Sequence, residues 1–249
     1  MQCPGQDSRY WDGEAVFEAN CQQCGNVLEF FKDDNARKCG KCGHKVLNPR
    51  IDFGCASYCP YASQCLGELP PELLAKKQEL LKDRVAIEVK KYFGNDFKRI
   101  AHALRVARLV DDIGGLVVEH EIEEYNPAVA GIVAYLHDIG IREAESKFDS
   151  SAPKYQQQEG PAVAREILTE LGATEGMIEE VCDIVGHHHT PGPEETINFK
   201  VLYDADLIVN LEEKQKESPS ERSHLEKVVE SSFLTDEGTE VAQKILLNY

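Results

Sequence analysis

The stretch "AYLHDIG", residues 134–140, sets a histidine and an aspartate side by side at the end of an otherwise apolar run. Val129, Ile132, Val133 and Leu136 precede the pair at helical spacing, and Gly140 follows as the residue that stops the helix. A helix of this composition is mostly buried. Burying a carboxylate next to an imidazole is costly unless something neutralises both. A metal ion does so, and it needs further ligands elsewhere in the chain.

Candidates recur on other helical stretches. In "DFKRIAHALRVARLVDDIG" (96–114), His102 shares a face with Val106, Leu109 and Ile113 and so points inward. A lone inward histidine is ordinarily a satisfied core residue, but this one is not alone. His137 shares a face with Ala130, Val133 and Ala134. Asp206, in "VLYDADLIVNL" (201–211), shares one with Leu202 and Val209, and "IVGHHHTPG" (184–192) ends a further helix with His187, His188 and His189. Imidazoles and carboxylates from four helices suit Mn, Fe, Co, Ni, Mg or Zn. Open coordination positions would hold water, which loses its proton far more easily when bound to a metal.

The remaining organisation follows from composition. At 249 residues the chain accommodates one large and one small domain. Eight of the nine cysteines lie within residues 3–65. "CQQC" (21–24) and "CGKC" (39–42) form two knuckles, the arrangement of a structural zinc site, and the region resembles a zinc ribbon. Cys3, Cys55, Cys59 and Cys65 provide four more thiols, for a second zinc, an iron–sulfur cluster or a set of buried reduced cysteines. Cys182, at helical spacing in "IEEVCDIVGHHH", reads as a core residue. Strand-like pieces occur at "NVLEFF" and "HKVLN".

From "LPPELL" onward the pattern is helical. The expectation is an all-α domain over 70–249 behind a cysteine-rich metal-binding domain over 1–69, the latter also a docking surface for a protein partner. Pro70 and Pro71 start a helix that Gly94 closes. Further helices are expected at 96–113, 126–139, 161–171, 175–187, 197–210, 219–231 and 235–248. Ser218–Glu221 reads as a capping box, Pro127 and Pro161 as first-turn prolines, and 141–160 as a loop over a site. His44, His120 and His224 lie in polar surroundings and read as surface residues.

Net charge is −17, with 20 basic against 35 acidic residues in 71–249. That balance argues against nucleic acid or anionic membrane as a partner. No apolar stretch approaches 18 residues, and the first 20 residues lack a basic n-region and an apolar core, so the simplest location is the cytoplasm.

The order His102, His137-Asp138, Asp206 on helices closely resembles the HD-domain metal-dependent phosphohydrolases, with "LHDIG" and "DADLI" the most recognisable pieces over roughly residues 80–210. The resemblance implies an HD-type helical bundle in which His102, His137, Asp138 and Asp206 hold a first metal. It favours Asp206 over Asp204 because the family's last ligand follows a small residue and precedes a hydrophobic pair. A second metal would draw on His187 and His188, or on His189, with Glu159 standing where relatives carry another histidine. The implied activity is hydrolysis of a phosphate ester, in a nucleotide or a small phosphorylated metabolite, with Asp138, Asp204 and Glu159 as catalytic candidates. Relatives often carry a lysine after HDIG where this chain has Ile141, so Arg142, Lys154, Arg105 and His189 are the candidates for substrate contact. A di-iron oxygenase or a non-catalytic sensor or adaptor are the alternatives within the same fold.

Overall fold

Residues 16–31, 34, 36–49, 80–122 and 124–247 are described by the computed structural model. The chain divides into two units, Met1–Leu80 and Leu81–Tyr249. Cys3, Cys55, Cys59 and Cys65 lie outside the described residues, as do Pro70, Pro71 and the expected 69/70 boundary.

The first unit pairs β1 (Val16–Asn20) antiparallel with β2 (Val27–Phe31), and β3 (Ala36–Lys38) with β4 (Lys45–Leu47). Alternation along β1 and β2 turns Phe17, Leu28 and Phe30 inward, where Val46 of β4 is also buried. The Phe17 and Phe30 rings stack at 5.7 Å. The Asn48 amide donates to the carbonyls of Phe31 and Asp34, tying the two hairpins together. So few apolar side chains make a marginal core, and the cysteines in the two hairpin turns carry the remaining burden.

The second unit is helical: α1 (Leu81–Phe93), α2 (Phe97–Glu119), α3 (Pro127–Leu136), α4 (Ile141–Phe148), α5 (Pro153–Leu171), α6 (Glu175–His187), α7 (Ile197–Glu217), α8 (Arg222–Ser231) and α9 (Asp236–Leu246). The centre is α3, "PAVAGIVAYL", which packs on α1, α2, α6 and α7. Asn126 caps its first turn through Ala128 and Val129, and Pro127 occupies the position where a missing N–H costs nothing. Val129, Ile132, Val133 and Leu136 are all buried, each worth on the order of 1.5–3 kcal/mol relative to exposure. That burial carries the polar "HD" pair into the interior. Among the described residues no helix is long and apolar enough to cross a membrane.

Several expectations are corrected. The segment 141–160 is α4 and the first half of α5, not a loop. Its inward positions, Gln156 and Gly160, continue through Ala164 and Leu168 at a spacing of four, a helical face that its polar composition conceals. Pro153, not Pro161, therefore sits in the first turn, and Pro161 lies inside the helix. α2 runs past the expected end at 113 to Glu119, and Gly114 lies inside it where Tyr125 packs over the backbone and leaves no room for a Cβ. The capping box at 218–221 does not form: Ser218 closes α7, which runs well past residue 210, and α8 begins at Arg222.

Gly140 is the point where the turn after α3 meets α5. A Cβ there would lie 2.2 Å from the Gln156 carbonyl oxygen and 2.6 Å from the Gly160 nitrogen, both backbone atoms that cannot swing away. Gly140→Ala is expected to destabilise the helical unit by about 1–3 kcal/mol or more, as overpacking does, lowering its urea midpoint.

His120 ends α2 and pairs with the buried Glu237 at the start of α9, Nδ1 to Oε1 2.6 Å. This hydrogen bond outweighs the effect of desolvation and raises the His120 pKa above the ordinary imidazole value. Raised in the folded state, the group stabilises fully below its unfolded pKa of about 6.5 and loses that contribution as pH climbs through the folded value. His120→Ala should therefore lower Tm at about pH 5.5 and make progressively less difference toward alkaline pH.

Candidate metal centre

In the first unit the knuckles place Cys21, Cys24, Cys39 and Cys42 so that their sulfurs all lie within 4.8 Å of one another. Cys21 Sγ and Cys42 Sγ are 3.6 Å apart, as are Cys24 Sγ and Cys39 Sγ. The two turns are built alike. Gly25 N–H donates to the Cys21 carbonyl and Gly43 N–H to that of Cys39, both glycines at positive φ (69° and 76°). The Cys42 backbone N–H facing the Cys39 sulfur leads the effects that hold its pKa down to about 6, against the opposing effect of burial. The cluster fits a zinc-ribbon-like site.

In the second unit, His102 from α2, His137 and Asp138 from the end of α3, Asp206 from α7, and His188 and His189 from the turn after α6 converge. His102 Nε2 lies 3.0 Å from Asp206 Oδ1, 3.3 Å from His137 Nε2 and 3.8 Å from Asp138 Oδ2. His137 Nε2 is 3.5 Å from Asp138 Oδ2 and 3.6 Å from Asp206 Oδ1. The other oxygen of Asp138, Oδ1, faces His188 Nε2 at 3.6 Å and His189 Nε2 at 3.9 Å. One carboxylate thus serves two groups of nitrogens. Donor atoms sharing a cation at about 2.0–2.2 Å lie roughly 3–3.5 Å apart, close to these spacings.

The tautomers follow from the other ring nitrogens. His137 Nδ1 is 2.9 Å from the Ala134 carbonyl and His188 Nδ1 is 3.0 Å from that of Val185; a carbonyl only accepts, so each Nδ1 carries the proton. The buried His188 Nε2 then presents a lone pair to a carboxylate and has no hydrogen-bond partner. A cation would satisfy such an orphaned atom. Charge balance agrees. Burial disfavours a charged His137, yet the Asp138 and Asp206 carboxylates together push its pKa up to about 9. Burial likewise works against the charges of Asp138 and His102, but Asp138 beside His137 is held well below the ordinary carboxylate value, and His102 beside Asp206 is raised. The residues therefore fit a divalent cation, or two sharing Asp138.

Other expected site residues lie elsewhere. His187, the last residue of α6, turns away: its Nδ1 donates to the Asp183 carbonyl, its Nε2 faces Glu195 at 3.2 Å, and its ring stacks on Phe199. His189, expected as a substrate contact and a possible ligand, takes its place among the ligand-type atoms. Glu159 pairs with Lys147 and belongs to neither group. Both Asp204 oxygens are taken up by the start of α9, accepting from Leu234 N, Thr235 N and the Thr235 hydroxyl. Arg105 is engaged by Glu212 and Glu213, Arg142 by the Tyr92 carbonyl and ring, and Lys154 lies over the Tyr155 ring. Cys182 is buried, as expected, with its thiol toward the Pro161 carbonyl.

Two neighbours of the site went unread. Gln156 Oε1 lies 3.4 Å from His189 Nε2, and the four-residue spacing of 156, 160 and 164 was the signal for it. Glu213 reaches His102, and its position seven residues beyond Asp206 placed it on the same helical face.

The family model for the HD domain matches residues 99–230, and the chain belongs to the HD-domain family. That membership supports a metal-dependent hydrolase. Among solved structures, the chain is similar to a predicted HD superfamily hydrolase from an uncultured Thermotogales bacterium. That match is 21% identical, covers 70% of this chain and 91% of the other, and has a TM-score of 0.47. No curated protein matches the chain.

Asp138 is the residue common to both groups, so Asp138→Ala is expected to strip metal from the helical unit while the cysteine-bound metal remains. Elemental analysis of wild type and variant, with circular dichroism as the check on folding, reads this out.

Proposed function

We propose that the helical unit hydrolyses a phosphate ester, in a nucleotide or a small phosphorylated metabolite, at a centre of two divalent cations. The observation that carries this reading is the division of Asp138, with Oδ2 toward His102 and His137 and Oδ1 toward His188 and His189. His102, His137, Asp138 and Asp206 would hold one ion, and Asp138, His188 and His189 the other. The donor set of imidazoles and carboxylates suits Mn, Fe, Co, Ni or Zn, whereas the four thiolates of the first unit suit structural zinc.

A bound divalent cation supplies Lewis acidity, which eases deprotonation of water and offsets charge developing on a phosphoryl oxygen. The chain's own residues do the rest. Nδ1–H bonds to the Ala134 and Val185 carbonyls lock the rings of His137 and His188, so Nε2 is presented without reorganisation. Asp138 keeps 20% of its side-chain surface accessible while His137 is closed off, so a substrate approaches from the Asp138 side. With Arg105, Arg142 and Lys154 engaged elsewhere, contact with the phosphoryl group falls to the centre itself and to the half-buried His189. Asp204 and Glu159 are spent on Thr235 and Lys147, which leaves solvent as the proton source for the leaving oxygen in this reading.

The test is metal analysis of anaerobically purified protein with a panel of phosphate mono- and diesters run on the same sample. The expected result is transition metal in the helical unit and metal-dependent phosphate release, abolished in His137→Ala with helicity retained. Oxygen consumption by an iron-loaded sample without ester hydrolysis, or wild-type turnover in His137→Ala, would overturn the proposal.

A further inference from the structure

We infer that Glu213 is a positioning residue that decides which nitrogen of His102 is free to bind metal, an inference that rests on His102 being a metal ligand. The three well-buried ligand imidazoles need the same thing: a proton on Nδ1 and a lone pair on Nε2. His137 and His188 obtain it from a carbonyl three residues back in their own chain segment, which any sequence supplies. His102 does not. Its Nδ1 partner is Glu213 Oε1 at 3.4 Å, contributed by α7 from 111 positions further along the chain.

His102 is also the ring with a competing choice. Its Nε2 lies 3.0 Å from Asp206 Oδ1, so a single ring proton has an anionic acceptor on either side. A proton on Nε2 satisfies Asp206 and blocks coordination, whereas a proton on Nδ1 satisfies Glu213 and frees the ligand atom. Arg105 fixes the carboxylate in place: one turn beyond His102 on α2, its Nη1 donates to the same Glu213 oxygen at 3.0 Å, while Nη2 donates to Glu212. The guanidinium thereby holds the carboxylate beside the ring. An anionic acceptor on Nδ1–H also makes Nε2 a stronger donor, and losing such a partner typically costs about 10–100-fold in metal affinity. Arg105, expected from sequence to grip phosphate, acts here through Glu213.

Full-length wild type, Glu213→Ala, Glu213→Gln and Glu217→Ala are titrated with Mn2+, which thiolates bind poorly. Glu217 is on the same helix and highly exposed, so its loss measures the effect of removing one negative charge. Glu213→Ala should weaken Mn2+ binding by about 10–100-fold, Glu217→Ala far less, and Glu213→Gln, whose amide oxygen still accepts from Nδ1–H, should recover most of the loss. In protein freed of metal at the helical site, 15N chemical shifts of neutral His102 should report Nδ1–H in wild type and Nε2–H in Glu213→Ala. An unchanged tautomer, or Glu213→Ala affinity equal to that of Glu217→Ala, overturns the inference alone. A wild type that takes up no metal in its helical unit overturns the underlying metal reading and this inference with it.

Discussion

A carboxylate surrounded by imidazoles, at the closed end of an apolar helix, is the constraint on which the helical unit depends. Asp138 costs several kcal/mol to desolvate unless compensated, and the imidazoles around it come from three segments. α2 brings His102 to the oxygen that His137 also faces, and the turn after α6 brings His188 and His189 to the other. Against the opposing effect of burial, the carboxylates of Asp138 and Asp206 raise the pKa values of His137 and His102. The His188 Nε2 lone pair, facing Asp138 Oδ1 without a hydrogen-bond partner, is the atom a cation would satisfy.

Geometry around the HD pair is set by backbone as much as by side chains. Gly140 brings the turn after α3 against α5 at a distance no side chain tolerates, and Gly160 meets Val185 of α6 just as closely. The two glycines thus link the segment bearing His137 and Asp138 to the helix that leads into His188 and His189. Placement of the second histidine group relative to the first is a packing outcome, and the ligands need not enforce it themselves.

Much of this was legible in the text. The apolar face of α3, the inward histidine of α2 and the two CxxC knuckles each have a period or spacing with a single physical meaning, and the helical bundle, the HD pair and the four-cysteine cluster follow from them. What escaped were positions where polarity and burial disagree. Gln156 is buried within a run of glutamines, so composition suggested a loop where the backbone forms a helix. Glu213 lies in the charged stretch "EEKQKE", which reads as a solvated end. The resemblance favours Asp206 over Asp204 as the ligand but keeps Asp204 as a catalytic candidate, although Asp204 lies two residues away on the nearly opposite face and its oxygens go to the start of α9. Among three consecutive histidines, a helix end in the middle of the run decides which one turns away, and helix ends are the least certain feature of a sequence.

The path of α7 has a mechanical consequence. Asp204 is fastened to the first turn of α9, Asp206 to the ring of His102, and Glu213 to Arg105, so one rod is pinned at three levels and on different sides. A screw motion of that rod by a single residue, about 1.5 Å and 100°, would break all three fastenings together. Torsion of α7 is therefore resisted at several levels, which fixes the spacing between α2 and α7.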